Sequence, residues 1–349
     1  MDTRVCRLYG KNDLRVEIDT ISKPGPDEVV VATAFGGICG SDLHYLLNGG
    51  MGATRVREPV ILGHEASGRI IEVGADVSNL SPGCNIAINP SRPCYFCEFC
   101  RTDLEMHCPD MKFSGSAIRL PHEQGLFRDF QILKAEQCIQ LDSGADLSAV
   151  ACAEPLAVCI HAASIAGELN DKRILVTGAG PIGALCTAVA ARAGAREIIV
   201  TDIQDATLKV VKRMGATHTI NVASNSGELD KFASGQGYFD VAFECSAAQP
   251  AMYASIRAMR PRGTIVQVGV AGDTLLPVDA IVGREVRLLG THRFHKEFEK
   301  SVAEIVSGRI DVRPIITEAF PVEHVNEAFR VANDRSKSVK VHLEFKGTH

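Results

Sequence analysis

No stretch of the 349-residue chain approaches the roughly eighteen consecutive apolar residues that a membrane-spanning helix requires. The N-terminus, MDTRVCRLYGKNDLRV, scatters acids and bases and has no apolar core of the kind a secretory signal carries. The expectation is therefore a cytoplasmic protein. Basic runs are missing too, and a net charge of −5 gives no ground for binding nucleic acid or an anionic membrane surface. A small-molecule partner is expected instead. Apolar residues make up nearly half of the chain and charged ones under a quarter, the profile of a soluble globular protein, and the length suits two domains.

Twelve cysteines are present, and in a chain read as intracellular they argue for metal ligation over disulfides. Cys94, Cys97, Cys100 and Cys108 fall within fifteen residues. This CxxCxxC run with a trailing cysteine can wrap one tetrahedral Zn²⁺ as a structural site. The rival is an iron–sulfur cluster, but bacterial-type ferredoxins place the next cysteine three residues on, where this chain leaves a gap of seven. Cys6, Cys84, Cys138, Cys152, Cys159, Cys186 and Cys245 read as small buried hydrophobes.

A second metal site is read from GGICGSDLH, residues 36–44, and from Gly63, His64 and Glu65. A thiolate at Cys39, an imidazole at His64 and a carboxylate at Glu65 suit a tetrahedral zinc that keeps one position open for substrate. The stretch 36–44 reads as a loop on which Ser41 can accept the proton of a bound alcohol and His44 can pass it towards solvent. Up to about residue 150, short alternating runs with Pro/Gly punctuation predict a small β-barrel or sandwich-like domain. The loop from Met111 to Gly125 is polar and carries cations, and Lys112, Arg119 and His122 are candidates to line a substrate cleft.

From Ala153 the texture changes to alternating helix and strand. Pro155 in a first helical turn puts Glu154 near a helix N-terminus. The apolar run from Arg173 to Thr177 leads into Gly178, Gly180, Pro181, Ile182 and Gly183, a GxGxxG between strand and helix that cradles a dinucleotide pyrophosphate. Asp202, ending the next strand, can accept the ribose hydroxyls, and no arginine follows it, so NAD is favoured over NADP. Val268 and Val270, like the segment from Cys245, close strands at the nicotinamide half. The alternation implies α/β architecture with a doubly wound parallel sheet, its last strand from Glu285 to Leu289. The tail beyond Gly290 is expected to return to the first domain and shows no separate motif.

The GHExxG at residues 63–68, with Gly74 beyond it, resembles the signature of the zinc-containing medium-chain alcohol and polyol dehydrogenases. That resemblance implies a GroES-like β-rich catalytic domain over 1–150 and 290–349 and a Rossmann domain over 151–289. It implies two zinc ions, one catalytic and one structural, with NAD as the hydride carrier. In that family the glutamate of EPLAV, here Glu154, faces the catalytic zinc directly or through its bound water, so Glu65 and Glu154 both stand as candidates for the third protein ligand. Arg293 resembles an arginine near substrate and cofactor. Dimers or tetramers are usual in the family.

The segments GGICGSDLHY, NPSRPCYFCEFC, MKFSGSAIRLPH and EPLAVCIHAA resemble most the L-idonate 5-dehydrogenases. The implied reaction converts L-idonate to 5-keto-D-gluconate, with Lys112, Arg119, His122 and Arg293 as candidate partners of the substrate carboxylate. A polyol dehydrogenase acting on sorbitol or xylitol is the alternative, followed by a threonine dehydrogenase. A non-catalytic nucleotide-binding relative would be expected to have lost metal ligands or relay groups, and this chain has them all.

Overall fold

Ile174, Leu175 and Val176 are buried without exception, as are Ile198, Ile199 and Val200. Continuous burial of this kind belongs to strands covered on both faces. In the computed structural model, which describes residues 1–270 and 272–346, six strands form one parallel sheet, with these continuously buried ones inside it and more exposed strands at both edges. In spatial order they are His218–Asn221, Glu197–Asp202, Arg173–Thr177, Phe239–Glu244, Met259–Gln267 and Arg287–Gly290. Numbered along the chain, the order is 3-2-1-4-5-6, which opens a crevice where the first and fourth strands part. Side chains of alternate residues serve opposite layers. Ile174, Val176 and Val241 meet Leu156 and Leu185 on one face, while Leu175, Ala242 and Ile265 meet Met252 and Ile256 on the other.

The other half is built on the strand Glu28–Gly37. It pairs antiparallel with Glu65–Val73, with Phe130–Lys134 and with Lys340–Glu344. Asn85–Ile88, Cys138–Gln140 and Ile316–Pro321 extend this into a seven-stranded sheet, and Asp2–Gly10, Asp13–Thr20 and Val60–Ile61 form a separate three-stranded one. The C-terminal tail is thus a structural member of the N-terminal half. Val341 O accepts from Ile38 N at 2.9 Å, three hundred residues away in sequence.

Two local expectations need correction. The stretch 36–44 is not a loop: the strand runs through Gly37, and a helix, Gly40–Asn48, starts immediately after Cys39. Asp42 supplies the physical reason, because its Oδ2 accepts the Cys39 N–H at 3.0 Å and so satisfies a donor at the helix entrance. The last strand of the parallel sheet starts at Arg287 rather than Glu285, since Glu285 takes a left-handed conformation that ends the helix Val278–Arg284. Among the described residues no helix is long and apolar enough to cross a membrane.

The two halves share one apolar core. Met111 and Phe113 from the N-terminal half pack in the same cluster as Leu156, Val176, Phe243, Phe294 and Phe298. The helix Ala153–Ala166 sits between the halves, and the helix Glu297–Val306 is pinned to it by Ser301 Oγ, which donates to Ala153 O at 2.7 Å. Phe298 is 1 % exposed and stacks on Phe294 with 5.7 Å between ring centroids. Truncation of Phe298 to alanine is expected to lower unfolding free energy by about 3–5 kcal/mol, the range for a large buried aromatic. Denaturant titration checks this, and a loss under about 1 kcal/mol would contradict the shared-core description.

Candidate active site

Cys39 comes from one backbone segment and the adjacent His64 and Glu65 from another, and one buried carboxylate ties the two together. Asp42 Oδ2 accepts from Cys39 N at 3.0 Å, and its Oδ1 accepts from Gly63 N at 3.2 Å. The same Oδ1 lies 3.9 Å from His64 Nδ1. Gly63 has φ 94°, and a side chain there would run into the Phe127 ring, so only glycine lets the chain turn into His64. Asp42 was not singled out in the sequence, although its place three residues after Cys39 is the spacing of a helix cap.

Glu65 faces a partner from the far end of the chain. Lys340 Nζ donates to Oε1 and Oε2 of Glu65, both at 2.7 Å, and to Ile38 O at 3.1 Å. Both side chains are buried. The tail, which showed no motif in sequence, therefore supplies a cation to the site. Ligand atoms of Cys39, His64 and Glu65 lie within 4.8 Å of one another, close enough to surround a single ion. Burial disfavours charge on His64, but the neighbouring Cys39 and Asp42 outweigh it and raise its pKa well above the ordinary value. A dication would take over that positive role. The donor set fits zinc.

Glu154 lies in the first turn of the helix Ala153–Ala166 and is buried. It stands outside the group of three but within electrostatic range of His64, Glu65, Lys340 and Arg293, and burial pushes its carboxyl up to about 7. Arg293 adopts φ 53° and holds its guanidinium 4.3 Å over the Phe113 ring, whose centroid is 5.6 Å from that of His64. One aromatic ring thus lies between a cation and a candidate metal ligand. Ser41 and His44 share a face of the helix Gly40–Asn48 at i, i+3. Ser41 is half-buried; His44 is exposed, its Nδ1 3.2 Å from Asn48 Nδ2.

Of the other three candidate substrate residues, His122 and Arg119 have structural partners and Lys112 lines a different cleft. His122 is buried; its Nδ1 bonds Arg119 O at 2.6 Å and its Nε2 accepts from Arg57 N at 2.9 Å, so neither nitrogen is free for a carboxylate. Arg119 is ion-paired with Asp110 and approaches Glu123. Lys112 alternates with Phe113 on the short strand Lys112–Phe113 and lines an outer cleft with Asp27, Asp76 and Asp110. Of the four residues proposed for the substrate carboxylate, the structure brings only Arg293 to the metal ligands.

The cysteine lobe is compact. Sulfurs of Cys97 and Cys100 are 3.5 Å apart, those of Cys94 and Cys100 3.9 Å, and Cys94 N donates to Cys108 Sγ at 3.3 Å. A tetrahedron with zinc–sulfur bonds of about 2.3 Å has edges of about 3.8 Å. These four thiols fit a single zinc. Burial opposes charge on Cys94, but backbone N–H groups of Phe96 and Cys97 aimed at its sulfur lower its pKa on balance, while burial and the neighbouring thiols raise those of Cys100 and Cys108, so one thiolate is favoured in the metal-free lobe.

In the other half, Gly178 turns the chain at the end of the first parallel strand, and the helix Pro181–Arg192 begins with Pro181 in its first turn and Gly180 as its cap. Ile182 and Gly183 follow in that turn, and a side chain at Gly183 would run into Gly178 O. Free N–H groups at this end suit a pyrophosphate. Asp202 Oδ2 accepts from Ala179 N at 2.6 Å, which ties the end of the second strand to the glycine turn. Glu244, absent from the sequence-based candidates, is buried and accepts from Thr177 Oγ1, Ser246 N, Ala247 N and Gln267 Nε2. It braces three strand ends under the crevice. Val268 N donates to Glu244 O at 2.9 Å, and Val270 is exposed beyond it.

Residues 25–143 match the alcohol dehydrogenase GroES-like domain family and residues 181–307 the zinc-binding dehydrogenase family. The chain is 38 % identical to the L-idonate 5-dehydrogenase (NAD(P)(+)) of Escherichia coli strain K12, over 98 % of this chain and 99 % of that one. It is 35 % identical to the sorbitol dehydrogenase of Gallus gallus, over 97 % of this chain and 95 % of that one. The crystal structure of the E. coli L-idonate 5-dehydrogenase superposes with a TM-score of 0.95 and covers 99 % of both chains.

Two outcomes follow from the buried charges. Lys340→Met leaves Glu65 buried without its partner and is expected to cost the metal-free protein about 3–5 kcal/mol in denaturant unfolding; a cost near zero would refute the tail's role in the site. Glu154, at about 7 when folded against an ordinary 4.5, keeps its proton in the folded chain at pH values where the unfolded chain has lost it. Its contribution to metal-free stability is thus full below pH 4.5 and is lost as pH rises towards 7. Glu154→Gln should flatten that decline in a pH series of melting temperatures, and parallel profiles would contradict it.

Proposed function

We propose, for a chain that belongs to the zinc-binding dehydrogenases with an alcohol dehydrogenase GroES-like domain, that the reaction is oxidation of a secondary alcohol of a sugar acid, L-idonate to 5-keto-D-gluconate. The observation that carries this is the juxtaposition of Cys39, His64 and Glu65 with one substrate-sized cation, Arg293, across a single phenyl ring. Zinc held by those three residues supplies Lewis-acid polarisation of the substrate hydroxyl, and NAD supplies the hydride acceptor.

The chain's own residues handle position and protons. Arg293 pairs with the substrate carboxylate and so fixes which carbon faces the nicotinamide. Ser41 takes the hydroxyl proton and His44, one turn further along the helix and exposed, releases it to solvent. Glu154 adds a buried carboxyl beside the ligands. The cysteine lobe carries the second zinc as a folding clip, and Asp202 disfavours a 2′-phosphate, so NAD serves before NADP. A homo-oligomer, dimer or tetramer, completes the proposal.

A polyol substrate is the second reading, and one observation favours it: Arg119 and His122 have other partners and Lys112 lines an outer cleft, which leaves fewer charges for a carboxylate than the sequence offered. Initial rates of NADH formation on L-idonate, sorbitol, xylitol and L-threonine, repeated with NADP, decide between them. L-Idonate with NAD is expected to give the highest kcat/KM. Arg293→Gln should raise the KM for L-idonate at least tenfold, on the scale of one charge-assisted bond, with a smaller effect on sorbitol. Turnover of sorbitol with none of L-idonate would sink the sugar-acid assignment.

A further inference from the structure

Cys159, Cys186 and Cys245, which read in the sequence as separate buried hydrophobes, meet in the structure. Cys159 lies on the helix Ala153–Ala166, Cys186 on the helix Pro181–Arg192, and Cys245 directly after the strand Phe239–Glu244. Cys245 Sγ donates to Cys186 Sγ at 3.9 Å, and Cys159 Sγ donates at 3.4 Å to the carbonyl of Ile182, one turn before Cys186. Cys159 and Cys186 are buried in the shared apolar core, whereas Cys245 is half-buried at its edge. Hydrogen bonds from Cys159 and Cys245 hold the Cys186 thiol well below its ordinary range, and the two donors keep their protons.

Cys245 is also wedged into the floor of the crevice. Its N–H donates to Thr177 O at 2.8 Å, and Ser246 N and Ala247 N both donate to the buried Glu244. Two glycines press on this segment from either side. A side chain at Gly178 would collide with the Ser246 backbone, and one at Gly269 with the N–H of Ala247. A shift of Cys245 is therefore passed on to the glycine turn and to the strand end at Gly269.

Two thiols in contact, one sealed in the core and one reaching its edge, are the elements of an oxidisable pair. We propose that Cys186 and Cys245 form a disulfide on exposure to a hydroperoxide, and that this bond deforms the glycine turn and weakens dinucleotide binding. The half-buried Cys245 meets the oxidant. Its thiol proton passes to Cys186, and its sulfur takes one peroxide oxygen as the O–O bond breaks and hydroxide leaves, giving a sulfenic acid. The Cys186 sulfur then attacks the Cys245 sulfur, the S–O bond breaks, and the Cys186 proton leaves with the departing hydroxyl as water. Two electrons pass from the sulfurs to the peroxide, which ends as water and hydroxide. The sulfurs close from 3.9 Å to about 2.05 Å, a displacement that the wedged segment has no room to absorb. The effect on affinity rests on the dinucleotide reading given above, whereas formation of the disulfide does not.

The full-length, zinc-loaded protein is treated with hydrogen peroxide at one equivalent, then alkylated, digested with trypsin and mapped by mass spectrometry, with calorimetric titration of NADH in parallel. Trypsin places Cys186 in the peptide 174–192 and Cys245 in the peptide 232–257, each without a second cysteine. The expected product is a link between these two peptides, with NADH affinity lowered about tenfold or more, zinc content retained, and recovery on reduction by a phosphine. Cys186→Ala should bind NADH as the untreated wild type does, before and after peroxide. Separate alkylation of the two peptides, or a link from 174–192 to Cys159, overturns the proposal. Loss of NADH affinity that is equal in Cys186→Ala, or that tracks zinc release, also overturns it by assigning the damage to the metal thiolates. A link with unchanged NADH affinity overturns the coupling to the crevice. An untreated protein that binds neither ADP-ribose nor NADH overturns the dinucleotide reading itself, which keeps the two failures distinct.

Discussion

The buried pair between Glu65 and Lys340 is the contact on which the metal site depends. Taking a carboxylate and an ammonium out of water is costly, and the arrangement holds because both oxygens of Glu65 and the carbonyl of Ile38 receive the three protons of Nζ. The pair cannot form until the strand Lys340–Glu344 has docked beside Phe35–Gly37. Glu65 therefore acquires its orientation only in the completed fold. Asp42 does for the Cys39 and Gly63 backbones what Lys340 does for the Glu65 side chain. Between them the three candidate ligands are positioned before any metal arrives.

What was legible in the sequence is what the chain encodes within a few residues. Cys94, Cys97, Cys100 and Cys108 are near neighbours, and the turn from Gly178 to Gly183 is a local bargain between glycine geometry and a helix start; both could be read directly. The parallel sheet was visible because short apolar runs such as Ile174–Val176 and Ile198–Val200 alternate with helical segments. Asp42 was within reach as a helix cap but was hidden by the reading of 36–44 as a loop. Lys340 and Glu244 were out of reach, since each matters through partners from distant segments. Arg119 and His122 show the converse: a side chain in a polar loop looks available until Asp110 claims the first, and a backbone carbonyl and a neighbouring N–H the second.

Cys152 and His342 illustrate how burial alone separates resemblance from reactivity. Their Sγ and Nε2 atoms are 3.7 Å apart, with Ser148 on the other ring nitrogen, an arrangement that in an exposed cleft would suggest a nucleophile and its base. Burial pushes the thiol up to about 12 and the imidazole down to about 3. Both stay neutral across the physiological range. The pair therefore adds no charge beside the buried ion pair of Glu65 and Lys340.

The core shared by the two halves has a mechanical meaning. Phe113 and Met111 on one side and Phe294 and Phe298 on the other pack in one cluster with the helix Ala153–Ala166, so separating the halves would expose this whole apolar layer to water. Glu154 lies in the first turn of that helix, within electrostatic range of His64 and Glu65. The helix that closes the core between the halves is thus the same one that carries a carboxylate to the candidate ligands.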